Sequence, residues 1–177
     1  MHVAVDCTVV GRQPSGVERA VSGLIEGLAQ VGGDGVTLSV LLSAGTGPEL
    51  PLGAGMRAVR LPRVTASRLG RVCYQQAVLP TLLRSLDVQV LHGPAYVLPV
   101  LWDGPAVVTI HDTITLTHPQ WCKWANVLHY GEVMTAAALA ADVVVVPSEE
   151  ARRAVIEHLG VEATRTVLAP LGVSERF

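Results

Sequence analysis

The sequence predicts an α/β fold: a Rossmann-like, doubly wound and mainly parallel sheet with helices on both faces. Three observations carry that prediction. Short apolar strand-like runs alternate with amphipathic helical stretches along the whole chain, as successive βαβ units require. Runs such as Val143-Val144-Val145-Val146 are apolar on both faces, the pattern of strands covered from both sides. Hydrophobic residues make up 50% of the 177 residues and aromatic residues only 4%, so the core is ample and must be aliphatic.

Taken in order, residues 2–7 read as a first strand and 9–15 as a polar Gly/Pro loop leading into a helix. From Gly16 the apolar set Val17, Ala20, Val21, Leu24, Ile25, Leu28 and Val31 recurs at three- and four-residue steps and shares one helical face. Gly32-Gly33 ends that helix. Residues 36–42 give a second strand, 43–55 a surface loop rich in Gly and Pro, and 56–61 a third strand. A basic segment with Arg63, Arg68 and Arg71 follows, then a helix marked by Tyr74, Val78, Leu79, Leu82, Leu83 and Leu86, which Pro80 kinks or splits.

Residues 88–91 return as a strand that ends at His92-Gly93-Pro94, and a long loop through Trp102-Asp103-Gly104 precedes a strand reaching His111. Residues 121–141 are apolar almost all round, as in a helix pressed between the sheet and partner surfaces. Residues 142–147 form a buried strand; Ser148 is a natural N-cap, Glu149 and Glu150 favour the positive end of the next helix, and Gly160 stops it. A last short strand spans 166–169.

A net charge of −2 offers no electrostatic footprint for nucleic acid. The three cysteines Cys7, Cys73 and Cys122 form no CxxC pair, so neither a disulfide framework nor a zinc site is suggested, and a reducing cytoplasm is the simplest setting. No apolar run reaches the roughly 18 to 20 residues that span a bilayer, and the first residues lack the cationic start of a signal peptide. A soluble chain is expected.

The strand at 106–110 stops on an imidazole and a carboxylate, His111 and Asp112. In open parallel sheets the carboxyl ends of the strands face the ligand crevice, which makes both residues catalytic candidates. The same residues also fit a plain junction in which His111 caps the strand and Asp112 opens a turn. Gly16, between first strand and first helix, could let phosphate oxygens approach backbone amides, or serve only as a turn residue. The loop before it is neither GxGxxG nor a Walker loop, which counts against a nicotinamide or ATP site. His111, His118, His129 and Cys122 match no metal-ligand spacing, so no metal is expected. No G-x-S-x-G elbow marks a serine nucleophile. Arg63, Arg68 and Arg71 read either as a solvated face or as a contact for an anionic acceptor or a membrane surface.

Several segments match one family in order. Ser15-Gly16-Val17-Glu18-Arg19 before an amphipathic helix resembles the (G/T/S)-G-(I/V)-x-R start of family 4, or group 1, glycosyltransferases of the GT-B fold. Val107 through Thr113 and Thr117-His118-Pro119-Gln120-Trp121 resemble their V-V-T-I-H-D-L and H-P-E-W pattern. Asp142 through Glu149 is similar to A-D-x-V-x-x-x-S-E, and Val167 through Val173 to V-I-P-x-G-V. Ser15 stands where some relatives have a first Gly, and Thr113 where Leu is frequent.

The resemblance implies the N-terminal, acceptor-side domain over residues 1–170, with 171–177 starting a linker to a C-terminal nucleotide-sugar-binding domain. It implies a retaining, hexosyltransferase-type enzyme that moves a sugar from a nucleotide-sugar donor to a glycan or lipid-linked acceptor in polysaccharide biosynthesis. No cofactor is expected, the nucleotide sugar being a co-substrate. Gly16 would lie against the donor diphosphate, His111 would hydrogen-bond the donor sugar, and Asp112 would orient His111 or line the acceptor side. The isolated chain is expected to fold and to be inactive. Two other readings stay open: a non-catalytic binding or regulatory module of the same fold, and a GT-B-like sugar-nucleotide epimerase. The expected location is cytoplasmic, with Arg63, Arg68 and Arg71 as a candidate peripheral membrane contact.

Overall fold

A computed structural model of the chain describes residues 1–11, 15–32, 35–44 and 50–172, the side chains of 124–130 excepted. Among them seven strands, β1 (His2–Asp6), β2 (Thr37–Leu42), β3 (Met56–Arg60), β4 (Val90–Gly93), β5 (Ala106–Thr109), β6 (Val143–Val146) and β7 (Thr166–Leu168), form one sheet in the order β3-β2-β1-β4-β5-β6-β7. Every pairing is parallel, so the sheet expected to be mainly parallel is wholly so. The helices are α1 (Gly16–Val31), α2 (Arg68–Ala77), α3 (Leu79–Ser85), α4 (Ile114–Thr117), α5 (Trp124–Ala140) and α6 (Glu149–Leu159).

Strand alternation divides the core in two. Ala4, Leu41, Leu91, Val108 and Val144 point to a cluster with Leu79, Leu83, Met134 and Val155, while Val5, Val40 and Leu42 point the other way, onto Val21 and Ile25 of α1. The clean period of α1 overstates its buried stripe: Val21 and Ile25 are buried but Val31, at the last turn, is 84% exposed.

Local chemistry sets the boundaries. Ser67 accepts from the Gly70 amide at 3.0 Å and starts a helix at Arg68, so Arg68 and Arg71 lie on α2 rather than in a basic segment ahead of it. Pro80 does split the next stretch, with Val78 between α2 and α3. The fourth strand begins at Val90, two residues later than expected, because the Val88 amide donates to Leu83 at 3.1 Å and closes α3 over Asp87, whose φ is 53°. The helix expected from residue 121 starts at Trp124, and Trp121 instead ends a single 3-10 turn, Pro119–Trp121. Ser148 caps α6 by accepting from Ala151 at 3.1 Å, and Gly160 ends it with φ 68°. The expectations that fall on 12–14, Gly33, 45–49, the side chain of His129 and 173–177 lie outside the described residues.

The order reverses between β1 and β4, whose neighbouring ends leave an opening at the carboxyl edge of the sheet. Ligands of open α/β sheets bind at such a switch point.

Candidate functional site

On the β1 side of the opening, Asp6 is buried and fully engaged. Its Oδ1 accepts from the Thr8 amide at 3.0 Å and the Thr8 hydroxyl at 2.6 Å, and its Oδ2 accepts from Gln75 of α2 at 2.6 Å. Arg71 donates to the Thr8 carbonyl at 3.2 Å, which draws it out of the expected surface patch and into the site, while Arg63 and Arg68 are exposed. Asp6 and Gln75 thus brace the turn after β1. At the third residue of α1, Glu18 braces its other end: Oε1 accepts from the Gly11 amide at 2.6 Å, across a glycine whose φ is 81°.

Helix α1 begins with Ser15 accepting from the Glu18 amide at 3.1 Å, and the first intrahelical bond runs from Arg19 to Ser15. The amides of Gly16 and Val17 therefore precede any intrahelical acceptor. A Cβ built on Gly16 meets nothing within 4 Å, and its φ is not in the left-handed region. Neither packing nor backbone conformation demands glycine there.

On the β4 side, the chain doubles back after Gly93, where a Cβ would come within 2.1 Å of the Val97 carbonyl. That turn places two groups over the end of β5. The Pro94 carbonyl accepts from His111 Nε2 at 2.9 Å, and the Tyr96 hydroxyl donates to Asp112 Oδ2 at 2.9 Å. The Tyr96 ring stands edge-on to His111, centroids 5.5 Å apart. Tyr96 has φ 68°, a strained value for a bulky side chain, held by its own amide donating to Thr109 at 3.1 Å. Asp112 Oδ1 accepts from the Ile114 amide at 3.1 Å.

A carbonyl oxygen only accepts, so Nε2 of His111 carries a hydrogen and donates it to Pro94. Asp112 is held by Tyr96 and Ile114 instead. Behind them His92 faces Thr109 Oγ1 at 2.9 Å. Burial, and secondly the charge of His111, lowers His92 from 6.5 to about 4.

Two depressions meet at this point. One is a cavity of about 310 Å³ bounded by the β1 turn, Ser15 and Val17 on either side of Gly16, α2, and residues 93–97, with Asp112 at its edge. The other is a more open groove of about 700 Å³ between His111, His118 and the start of α6. Asp112 and Ile114 line both. The structure thus gathers Asp112 and the start of α1 around one cavity and turns His111 to the adjoining groove. Cys122 lines the cavity and His118 the groove, where His118 stacks on exposed Trp121 at 4.3 Å. Among the described residues no three His, Cys, Asp or Glu groups gather as a metal would need. Tyr96, Pro94, Gln75 and Glu18 were not legible as site residues; only the Gly93-Pro94 pair signalled the turn that carries two of them.

The family model for Glycosyltransferase Family 4 matches residues 14–177. No curated protein matches the chain by sequence. Among solved structures it is similar to WaaG, a glycosyltransferase involved in lipopolysaccharide biosynthesis, at 15% identity and TM-score 0.64, covering 98% of this chain and 46% of that one. It is also similar to the lipopolysaccharide outer core galactosyltransferase WaaB, at 13% identity and TM-score 0.61, covering 98% and 46%. The UDP-GlcNAc 2-epimerase from Methanocaldococcus jannaschii is similar at 10% identity and TM-score 0.57, covering 95% and 45%. The chain therefore spans less than half the length of each of these structures.

Proposed function

The chain belongs to glycosyltransferase family 4, matching the N-terminal domain of its enzymes, and from that premise we propose that it is the acceptor-side domain of a retaining glycosyltransferase. In this reading a further C-terminal domain holds a nucleotide sugar, and the sugar passes to a glycan or lipid-linked acceptor. The observation that carries it is the cavity at the switch point, where Ser15 and Val17 at the start of α1 face Asp112 and the Tyr96 that holds it.

The chemistry follows from those groups. Amides of Gly16 and Val17 at the positive end of α1 receive the donor diphosphate. His111 Nδ1 accepts a hydrogen bond from a hydroxyl of the donor sugar, its ring held by Pro94 and Tyr96. Asp112, at the junction of the two depressions, accepts from a neighbouring hydroxyl of the acceptor and so orients the attacking one, whose own hydrogen stays free to reach the phosphate. The bond from the anomeric carbon to the phosphate oxygen breaks as that from the anomeric carbon to the acceptor oxygen forms. The acceptor's proton goes to the departing phosphate oxygen, so no side-chain base is needed on the attacking face, and the helix terminus stabilises the developing phosphate charge. No cofactor takes part. A cytoplasmic location is part of the proposal, and among the described residues no helix is long and apolar enough to cross a membrane.

The likeness to an epimerase favours a second reading, in which the same cavity faces a nucleotide sugar whose configuration is changed without an acceptor. The experiment that decides is incubation of nucleotide sugars with a version of the protein that carries a C-terminal domain, followed by proton NMR of the products. A new glycoside of unchanged anomeric configuration that forms only with acceptor present supports the transferase. An epimerised nucleotide sugar formed without acceptor supports the second reading, and unchanged donor supports a binding module.

A further inference from the structure

On the sheet face that carries Val5 and Val40, neighbouring strands line up rows of valine. Val40, Val5 and Val107 share one row across β2, β1 and β5, and Val145 and Val167 share the next across β6 and β7. Two polar residues interrupt them: His92 on β4, between Val5 and Val107, and Thr109 on β5, beside Val145. Their side chains meet each other, Nε2 to Oγ1 at 2.9 Å. Thr109 is buried and His92 half-buried. With a pKa lowered to about 4 by burial and then by the charge of His111, His92 is neutral at pH 7. The fold alone would be served as well by two apolar residues of similar size, because a hydrogen-bonded pair taken out of water gains little over an apolar one.

The pair sits where the backbone ladder gives out. Strands β4 and β5 are paired as far as Gly93 and Val108. Past that point the returning turn is tied to the end of β5 by the Tyr96 amide on the Thr109 carbonyl, at 3.1 Å, and by the Pro94 carbonyl under His111, at 2.9 Å. The bond between His92 and Thr109 closes the stem of the same turn. Tyr96 needs that closure, since a bulky residue at φ 68° persists only where its surroundings over-determine it. We propose that His92 is a positioning residue: bonded to Thr109, its ring locks the turn whose Pro94 and Tyr96 hold His111 and Asp112. The inference rests on the transferase reading, in which His111 and Asp112 meet the substrates, and adds to them a residue that meets neither.

The test replaces both partners at once. His92→Leu alone, or Thr109→Val alone, strands a polar group, whereas His92→Leu with Thr109→Val completes the apolar rows, so the double variant of the 177-residue chain should melt within about 4 °C of the unaltered one. Its Tyr96 amide should nevertheless exchange with solvent at least about tenfold faster, while the Leu91 amide, bonded to the Pro105 carbonyl at 3.0 Å, keeps its rate. In the longer protein with a C-terminal domain the double variant should lose about tenfold or more in kcat with KM for the nucleotide sugar unchanged. His92→Gln, whose side-chain amide reaches as far as Nε2, should stay within about twofold of the original kcat. Unchanged exchange at Tyr96 in the double variant would overturn the inference. So would a melting point lowered well beyond that range, which would make the pair structural, or a His92→Gln variant as slow as the double one. Full kcat in the double variant would overturn it and leave the transferase reading standing. Faster exchange at Tyr96, with no transfer by the unaltered longer protein, would instead sink the transferase reading and leave His92 as the lock of this turn.

Discussion

Replacing Gly16 with alanine separates what the fold needs from what the donor needs. The new methyl meets nothing within 4 Å, and the backbone there lies outside the left-handed region, so no clash or strain opposes it. Alanine also reduces the freedom of the unfolded chain, which at a compatible site stabilises by about 0.4–1 kcal/mol. For a chain of 177 residues that corresponds to a Tm rise of about 1–4 °C. A phosphate resting on the Gly16 and Val17 amides would be pushed outward by the same methyl. Losing one charge-assisted hydrogen bond, about 1.5–3 kcal/mol, lowers kcat/KM for the nucleotide sugar by roughly 10- to 150-fold. Gly16→Val, bulkier and β-branched, should cost more turnover and forgo the stabilisation. The assays are a thermal melt of the chain and donor kinetics of the longer protein. A higher Tm with unchanged kcat/KM would refute the phosphate role, and parallel losses in both would mark Gly16 as a packing residue.

His111→Ala should lower kcat by roughly ten- to a thousandfold while costing about 1–2 kcal/mol of stability, because the Pro94 carbonyl loses its donor; kinetics beside a melting curve check both. Tyr96→Phe removes the hydroxyl that holds Asp112 but keeps the ring against His111, so kcat should fall about tenfold with KM for the donor unchanged; an unchanged kcat would show that Asp112 needs no such support. Gly93→Ala forces a Cβ to within 2.1 Å of the Val97 carbonyl, should cost about 1–3 kcal/mol, and should abolish turnover by displacing Pro94 and Tyr96, as a melt and a transfer assay would report. For His92 the unfolded chain takes up a proton near pH 6.5 and the folded chain only near 4. The unfolded state binds more protons between those values, so stability falls as pH drops from 6.5 to 4, by up to about 3 kcal/mol, and His92 adds no further slope below. Denaturant titrations across that range should show the slope, and His92→Gln should remove it.

The βα alternation was legible because buried strands and amphipathic helices leave different periods in the residues, and Ser148 with Gly160 marked α6 to the residue. Boundaries slipped where a tertiary bond decided them: the Val88 amide serves Leu83 rather than a neighbouring strand, and Ser67 recruits Arg68 into a helix. The strand end at His111 and Asp112 was visible as polar groups after an apolar run. Their partners were not, since Tyr96 comes from a different strand's loop in a backbone conformation that its side chain disfavours. The group that holds the His111 ring was out of view for the same reason, because a sequence lists side chains and this group is a backbone carbonyl. Likewise Arg71 looked like one of three surface charges until α2 brought it beside the Thr8 carbonyl.

The central claim is that this domain supplies half of a sugar-transfer site and cannot complete it alone. It is tested most directly by following nucleotide-sugar consumption by proton NMR, in parallel, with the 177-residue chain and with a longer protein that includes a C-terminal domain. The account predicts turnover by the longer protein, dependent on His111, and none by the chain. Turnover by the chain alone, or a longer protein that consumes no nucleotide sugar in the presence of glycan or lipid-linked acceptors, would contradict it.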